Sequence, residues 1–252
     1  MEFVGDIARK TGAPSLLAVE AAKTERAGQI GKSSGLFYVP KVVEFAPDAG
    51  VLDFERLRDM STLLELAVSR DARALELAEK AGRALAVVHD QLILPDEMKE
   101  PLPAEWMDAP DENVFIHGDF GCTNLCFHAP SGQLVILDWS TAPLMGRTPT
   151  FGSRYFDILW SASYVFRAAP SKRVFNWGAE EIARALLRGY VDGFSGQKLN
   201  KLKDYRLQIS QLHRKYVRSI ARKRPPLSSM AYRCSQALMH ARLNRFLRNC
   251  EL

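Results

Sequence analysis

Four polar side chains set among short apolar runs constrain this chain more than any other feature. Between Asn113 and Trp139 the sequence reads NVFIHGDFGCTNLCFHAPSGQLVILDW. A first apolar segment predicts a strand ending near His117, and Leu125–Phe127 facing Leu134–Leu137 across Ala-Pro-Ser-Gly predicts a hairpin. His117, Asp119, Asn124 and Asp138 fall at the ends of these runs, where polar groups are costly unless they hold something charged. Asp119 and Asn124 stand five apart in the order H-G-D-x-x-x-x-N, and Asp138 ends LVILD fourteen residues after Asn124. A carboxylate and a carboxamide on one tight loop can orient and deprotonate a hydroxyl and also ligate magnesium. Magnesium takes few protein ligands and completes its octahedron with substrate phosphates, so a second carboxylate is expected, and Asp138 can fold back to supply it. Gly118 and Gly121 let the loop turn sharply. A capped turn and a surface aspartate would account for any one of these residues, but not for the whole order.

The chain around this stretch is large enough to support it. Its 252 residues, 47% of them hydrophobic, suffice for one large buried core or two small ones. There is no run of eighteen apolar residues to span a bilayer. The opening MEFVGDIARK lacks the apolar core of a secretory signal. Four cysteines (Cys122, Cys126, Cys234, Cys250) do not make a disulfide framework, so a reducing cytoplasm is expected.

Before residue 57 the pattern is mixed. FVGDIA (3–8) reads as a short strand and KTGAPS (10–15) as a turn. Ser15–Ile30 reads as a helix with Leu16, Val19, Lys23 and Ala27 on one face, broken by the glycines at 31 and 35. Leu36–Ala46 and Val51–Leu57 read as strands. After residue 57, Asp71–Leu92 carries apolar residues at 75, 78, 81, 85, 88 and 92, the stripe of an amphipathic helix. A proline-rich connection over 95–110 leads to the central stretch. Helices are predicted over 156–166, 179–194 and 205–222, with Pro225-Pro226 as a stop and Ser228 capping a last helix to about Leu247. The class is α+β with unequal halves.

HGDFGCTN together with ILDW resembles the aminoglycoside phosphotransferase/choline kinase family, a branch of the protein-kinase-like fold. VLDFERL resembles that family's hinge between lobes, AGRALAVVHDQL looks like the helix before its catalytic loop, and FDILW, with Asp157, resembles the segment after its metal loop. The resemblance implies a two-lobe fold: a reduced N-terminal β lobe over 1–57, for nucleotide, and a mainly helical lobe over 58–252 carrying the catalytic and metal loops. It implies an ATP- and Mg2+-dependent phosphotransferase acting on a hydroxyl of a small molecule of the amino-sugar, choline-like or sugar-alcohol class. By that resemblance Asp119 is the catalytic base, Asn124 and Asp138 hold magnesium, and His117 and Asp157 support the loop. Nucleotide contacts fall to Lys10, Glu20 and the hinge residue Glu55.

One departure bears on activity. FVGDIAR resembles the family's third strand, but Gly5 stands where its phosphate-pairing lysine is expected, and Lys10 is the nearest substitute. Glu20 fits the strand-to-helix spacing from Gly5, and Glu25 fits it from Lys10. A charged hydrogen bond is worth about 1.5–3 kcal/mol, so losing the lysine would weaken nucleotide binding roughly 10- to 150-fold. A catalytically weak, pseudokinase-like binding module is therefore the alternative expectation.

Two other features invite a reading. Cys122, Cys126, His117 and His128 lie close in sequence, but the C-x-x-x-C-x-H order is irregular for zinc. From Lys198 to Arg248 the chain carries fourteen Lys and Arg against Asp204 alone, which predicts either solvated helix faces or a surface for anionic membrane or nucleic acid. Aromatic residues are sparse there, which disfavours a base-stacking platform. The acids after Phe156 (Asp157, Glu180, Glu181, Asp192) are scattered among basic residues, which argues against a strongly cationic acceptor.

Overall fold

Gly5 and Asp6 split the strand expected over 3–8 into a hairpin. In the computed structural model, which describes residues 1–107, 112–140, 148–167, 178–193 and 205–249, Gly5 turns with φ +60°. β1 (Glu2–Val4) pairs antiparallel with β2 (Ile7–Thr11), so Lys10 lies inside a strand and not in a turn. Helix α1 (Pro14–Ser34) follows, with proline in its first turn, where a missing N–H costs nothing, and Gly35 closing it at φ +66°. β3 (Val42–Ala46) and β4 (Val51–Glu55) complete an antiparallel sheet in the order β1-β2-β4-β3.

The buried face of α1 matches the expected one at Lys23 and Ala27 but not at Leu16. Leu16 is exposed, whereas Glu20, Lys23, Thr24, Ala27 and Ile30 are buried. The periodicity was helical, but the charged residues it carries face the protein interior.

Two elements after residue 57 were not anticipated: β5 (Met60–Thr62) and α2 (Leu63–Ser69). The start of α2 is a capping box, Thr62 accepting from the Glu65 amide while the Glu65 carboxylate accepts from the Thr62 amide, and T-x-x-E is legible as such. α3 (Arg73–Gln91) follows the expected stripe, except that Leu75 is exposed. β6 (Asn113–Phe115) leads into the loop that carries His117 and Asp119. β7 (Leu125–His128) and β8 (Gln133–Ile136) form the expected hairpin, and β7 also pairs with β5. Tyr38 bridges to Val135 in parallel, so the segment before β3 is hydrogen-bonded to β8. β9 (Phe151–Ser153) returns to pair with β6.

The remaining helices are α4 (Tyr155–Arg167), α5 (Ala179–Asp192), α6 (Tyr205–Arg222) and α7 (Pro226–Asn249). Ser228 sits inside α7, because Pro226 already opens it. Lys198, Lys201, Lys203, Asp204 and Cys250 lie outside the described residues. Among the described residues no helix is long and apolar enough to cross a membrane.

The main core is an apolar cluster running from α1 and α3 through the β7–β8 hairpin to α4, α5, α6 and α7, and a smaller one (Ala8, Leu17, Ala21, Leu52, Phe54) lies between α1 and the four-stranded sheet. The tightest seam of the main core is between α3 and α5, where two glycines let the backbones touch. A Cβ on Gly82 would lie 2.6 Å from the Tyr190 nitrogen and closer still to the Leu186 carbonyl, and one on Gly189 would overlap the Glu79 carbonyl. Neither obstacle is a flexible side-chain end, so the helices must separate to admit a methyl group. Gly82→Ala is expected to destabilise the fold by about 1–3 kcal/mol, the usual cost of overpacking, despite alanine's better helix propensity. An unchanged urea midpoint would contradict so close a crossing.

Candidate active site

The loop after β6 is held from beneath by one carboxylate. Asp157, in the first turn of α4, is fully buried and accepts hydrogen bonds from the His117 amide (2.7 Å), the Gly118 amide (2.8 Å) and His89 Nε2 (3.0 Å). Burial opposes its charge, but the His89 hydrogen bond and the neighbouring amides hold its pKa below the usual carboxylate value. His89 Nδ1 in turn meets the Tyr190 hydroxyl at 2.9 Å, tying the arrangement to α3 and α5. Gly118 turns the loop with φ +87°, a conformation that disfavours a side chain.

His117 fills the space above Asp157. Burial, then the charge of Lys23, push its pKa down to about 4, so it is neutral near pH 7. Nδ1 accepts from the Asp119 amide (3.2 Å), which leaves Nε2 as the donor to the Leu137 carbonyl (3.2 Å). Its ring packs against Trp139, with centroids 4.6 Å apart. The imidazole thus joins the loop to the end of the LVILD segment, and it is too enclosed and too weakly basic to act as a proton carrier.

Asp119 is half-buried, and both of its oxygens are engaged. Oδ1 accepts from Trp160 Nε1 (2.7 Å) and Oδ2 from Asn124 Nδ2 (3.1 Å). Burial raises its pKa above the ordinary value, Asp138 and Asp157 add to the rise, and the Trp160 and Asn124 hydrogen bonds pull it back. Asn124 Nδ2 also donates to the Asp119 carbonyl (2.9 Å). This fixes the amide so that its oxygen faces away from Asp119, and among the described residues Asn124 Oδ1 has no hydrogen-bond partner.

Asp138 lies next to Asn124, because the Leu137 amide donates to the Asn124 carbonyl (2.9 Å). It adopts φ +53°, a left-handed conformation that costs a non-glycine residue roughly 1–2 kcal/mol. Its Oδ1 accepts from Lys10 Nζ (3.0 Å) and from the Ser140 hydroxyl. Burial works against the Asp138 charge, but Ser140 and Lys10 outweigh it and keep the pKa low.

Lys10 also reaches Glu20 on α1 (2.8 Å). Burial disfavours its charge, yet Glu20 and Asp138 together hold the pKa above normal, so Lys10 is a firmly protonated cation. Glu20 is itself pushed up by burial, with Lys10 opposing. Of the two glutamates weighed from spacing, Glu20 meets the lysine and Glu25 faces solvent.

Lys10, Glu20, Asp119, Asn124 and Asp138 are therefore brought together, with His117 and Asp157 behind them. Glu55 is not in this group: its carboxylate accepts from the Tyr38 hydroxyl and the Lys41 amide. Asn124 Oδ1 and the Asp138 carboxylate, on hydrogen-bonded neighbouring segments, form a hard oxygen pair suited to magnesium. The sulfur-containing cluster does not assemble. Cys126 Sγ faces the Thr123 carbonyl, His128 bonds Ser131, and burial pushes the Cys122 and Cys126 thiols up to about 12. Among the described residues no three His, Cys, Asp or Glu side chains converge on a metal position. Sequence reading missed Trp160, His89 and Ser140. The D-x-x-W spacing of Asp157 and Trp160 puts both on one face of α4 and was the legible signal.

No protein-family model and no curated protein matches the sequence. Solved structures do match. A choline/ethanolamine kinase family protein from Mesorhizobium loti superposes with a TM-score of 0.55 at 16% identity, over 98% of this chain and 87% of that one. The fold is protein-kinase-like. The amicoumacin kinase hAmiN, solved with AMP-PNP, Ca2+ and Ami, superposes with a TM-score of 0.50 at 13% identity, over 96% of this chain and 80% of that one. At these identities the likeness is one of fold, and it bears out the α+β, kinase-like architecture read from HGDFGCTN and ILDW.

Asp157→Ala leaves two buried amides and an imidazole without their acceptor, and is expected to cost about 3–5 kcal/mol in urea denaturation. Because the folded-state pKa of Asp157 is depressed, its contribution is complete above the unfolded value of 3.8 and fades as pH falls through the lower folded value. The gap between wild type and variant should narrow only in that acid range. A constant gap down to pH 2 would show that the carboxylate's charge is not what stabilises the loop.

Proposed function

We propose that this protein is an ATP-dependent phosphotransferase acting on a hydroxyl of a small molecule in the cytoplasm. The observation that carries the reading is the convergence of Lys10, paired with Glu20, on Asp138 beside Asn124 and Asp119. It favours a working site over an inactive binding module, because a lysine from β2 stands where nucleotide phosphates would need a cation. The two superposing structures are named as kinases of small molecules, and one was solved with a nucleotide analogue and a divalent ion.

In this reading Lys10, oriented by Glu20, binds the α- and β-phosphates and gives up part of its contact with Asp138. Asn124 Oδ1 and Asp138 would hold magnesium, which when bound neutralises charge on the phosphates. Asp119 accepts the proton of the acceptor hydroxyl as that oxygen attacks the γ-phosphorus and the bond to the β-phosphate oxygen breaks. Trp160 and Asn124 fix the Asp119 carboxylate, leaving each oxygen a lone pair for the incoming proton. His117, neutral and enclosed, keeps the loop in register.

Three measurements test this. Titration calorimetry should detect Mg·ATP binding, and Asp138→Ala should abolish its magnesium dependence; absence of heat with the wild type defeats the proposal. Asp119→Asn should lower turnover by about 10²–10⁴ while sparing nucleotide binding. Activity requires ionised Asp119, so the acid limb of the rate profile should lie above the ordinary aspartate value. Trp160→Phe removes a hydrogen bond that favours the ionised form and should move the limb higher; a downward move would exclude Asp119 as the base.

A second property rests on a separate observation. From 205 to 249 the chain has eleven Lys and Arg and no Asp or Glu. At the α6–α7 turn Leu227 (80% exposed) and Met230 (61%) project beside the exposed Arg222, Lys223 and Arg224. An apolar tip beside a run of exposed cations fits the surface of an anionic bilayer better than nucleic acid. The full chain should co-sediment with phosphatidylserine vesicles at low salt, and Leu227→Glu with Met230→Glu should release it. Equal binding by that double variant would mean charge alone acts, and binding to DNA but not vesicles would replace the membrane reading.

A further inference from the structure

One of the fully buried charged side chains is left without a task by the phosphotransfer reading. Lys23 is fully buried on α1, and its Nζ donates to the His117 carbonyl at 2.6 Å. It lies three residues after Glu20, on the same helix face. Glu20 holds Lys10, and Lys10 holds Asp138. One face of α1 therefore grips the site in two places: through Glu20 at the nucleotide side, and through Lys23 at the backbone of the loop that carries Asp119.

We propose that Lys23 is a positioning residue, a buried cationic peg by which helix α1 sets the His117–Asn124 loop against the Lys10–Glu20 pair. The His117 carbonyl is the remaining side of a residue already fixed elsewhere. Its amide is on Asp157, its Nε2 on the Leu137 carbonyl, and its Nδ1 receives the Asp119 amide. Lys23 is thus two bonded steps from the Asp119 backbone. Any shift of α1 moves both grips together, so the base loop and the phosphate-binding lysine engage or disengage as a unit.

The charge is part of this function. Glu20, Asp119, Asp138 and Asp157 surround the site, and Lys23 is the cation placed behind them. Burial lowers its pKa to about 8, with Asp157 and Glu20 opposing. A neutral side chain of the same length would fill the space equally well, and replacing buried charge by apolar packing is often harmless to stability. Retaining a lysine there is explained by what it does to the loop.

The turnover part of this inference rests on the phosphotransferase reading, and the loop part does not, so the test measures both. Lys23→Met keeps length and volume while removing donor and charge; Lys23→Gln, shorter but able to donate, serves if the methionine variant does not fold. The readouts are amide hydrogen exchange over residues 116–124, Mg·ATP affinity by calorimetry, and ATP turnover with water as the acceptor. Lys23→Met is expected to speed loop exchange at least tenfold with exchange in α3 unchanged, to leave affinity within about threefold, and to lower turnover 10- to 100-fold. Unchanged loop exchange in a folded variant overturns the proposal, as does a loss of affinity matching the loss of turnover, which would make Lys23 a nucleotide contact. Faster loop exchange in a protein whose wild type shows no turnover would keep Lys23 as the peg and remove the phosphotransferase reading instead.

Discussion

A single carboxylate without access to water organises this protein. Asp157 gathers two loop amides and an imidazole that would otherwise be unsatisfied inside the core. In so doing it converts the segment between β6 and β7 from an ordinary connection into a fixed platform. His117 then spans from that platform to the end of β8, and the two segments bearing Asp119, Asn124 and Asp138 become one surface. Such an anchor is costly to assemble, since burial of an unpaired carboxylate is prohibitive and three donors must arrive in register. Once assembled it is rigid, which is what a site built on a loop requires.

Electrostatically the site is a concentration of acids held by two lysines with different tasks. Lys10 is partly exposed, paired twice and strongly protonated. Lys23 is at the back, wholly desolvated, and bound to a carbonyl. The asymmetry separates an accessible charge, which in the proposed function a phosphate chain claims from Asp138, from an enclosed one that faces the same carboxylates from behind. Both lysines reach the site through α1 or its ion pair, which makes that helix the link between the four-stranded sheet and the loop.

How much of this was legible in the sequence differs by element. The hairpin, the order of Asp119, Asn124 and Asp138, and the stripe of α3 could be read directly, because turn chemistry and periodicity are local signals. The resemblance carried by HGDFGCTN and ILDW led to the right fold. The N-terminal region was harder. A strand was read through Gly5 because apolar content outweighed the turn signal, and this displaced Lys10 from its strand and obscured its partner. α1 was read with Lys23 correctly on its apolar stripe but with Leu16 there too; that Leu16 is exposed and Glu20 buried follows from tertiary contacts with β2 and the loop. Trp160 and His89 were invisible for the same reason, since each acts on a group far away in sequence.

The backbone at Asp138 carries a consequence of its own. A left-handed conformation there suits glycine, and a glycine at 138 would relieve strain and remove a half-buried charge in one step. The backbone would relax, but Lys10 and Ser140 would lose an acceptor and the oxygen pair proposed for magnesium would lose its carboxylate. Backbone preference and the proposed chemistry therefore pull in opposite directions at this position. On the proposed function, a relative of this chain without that chemistry would be free to let the aspartate go.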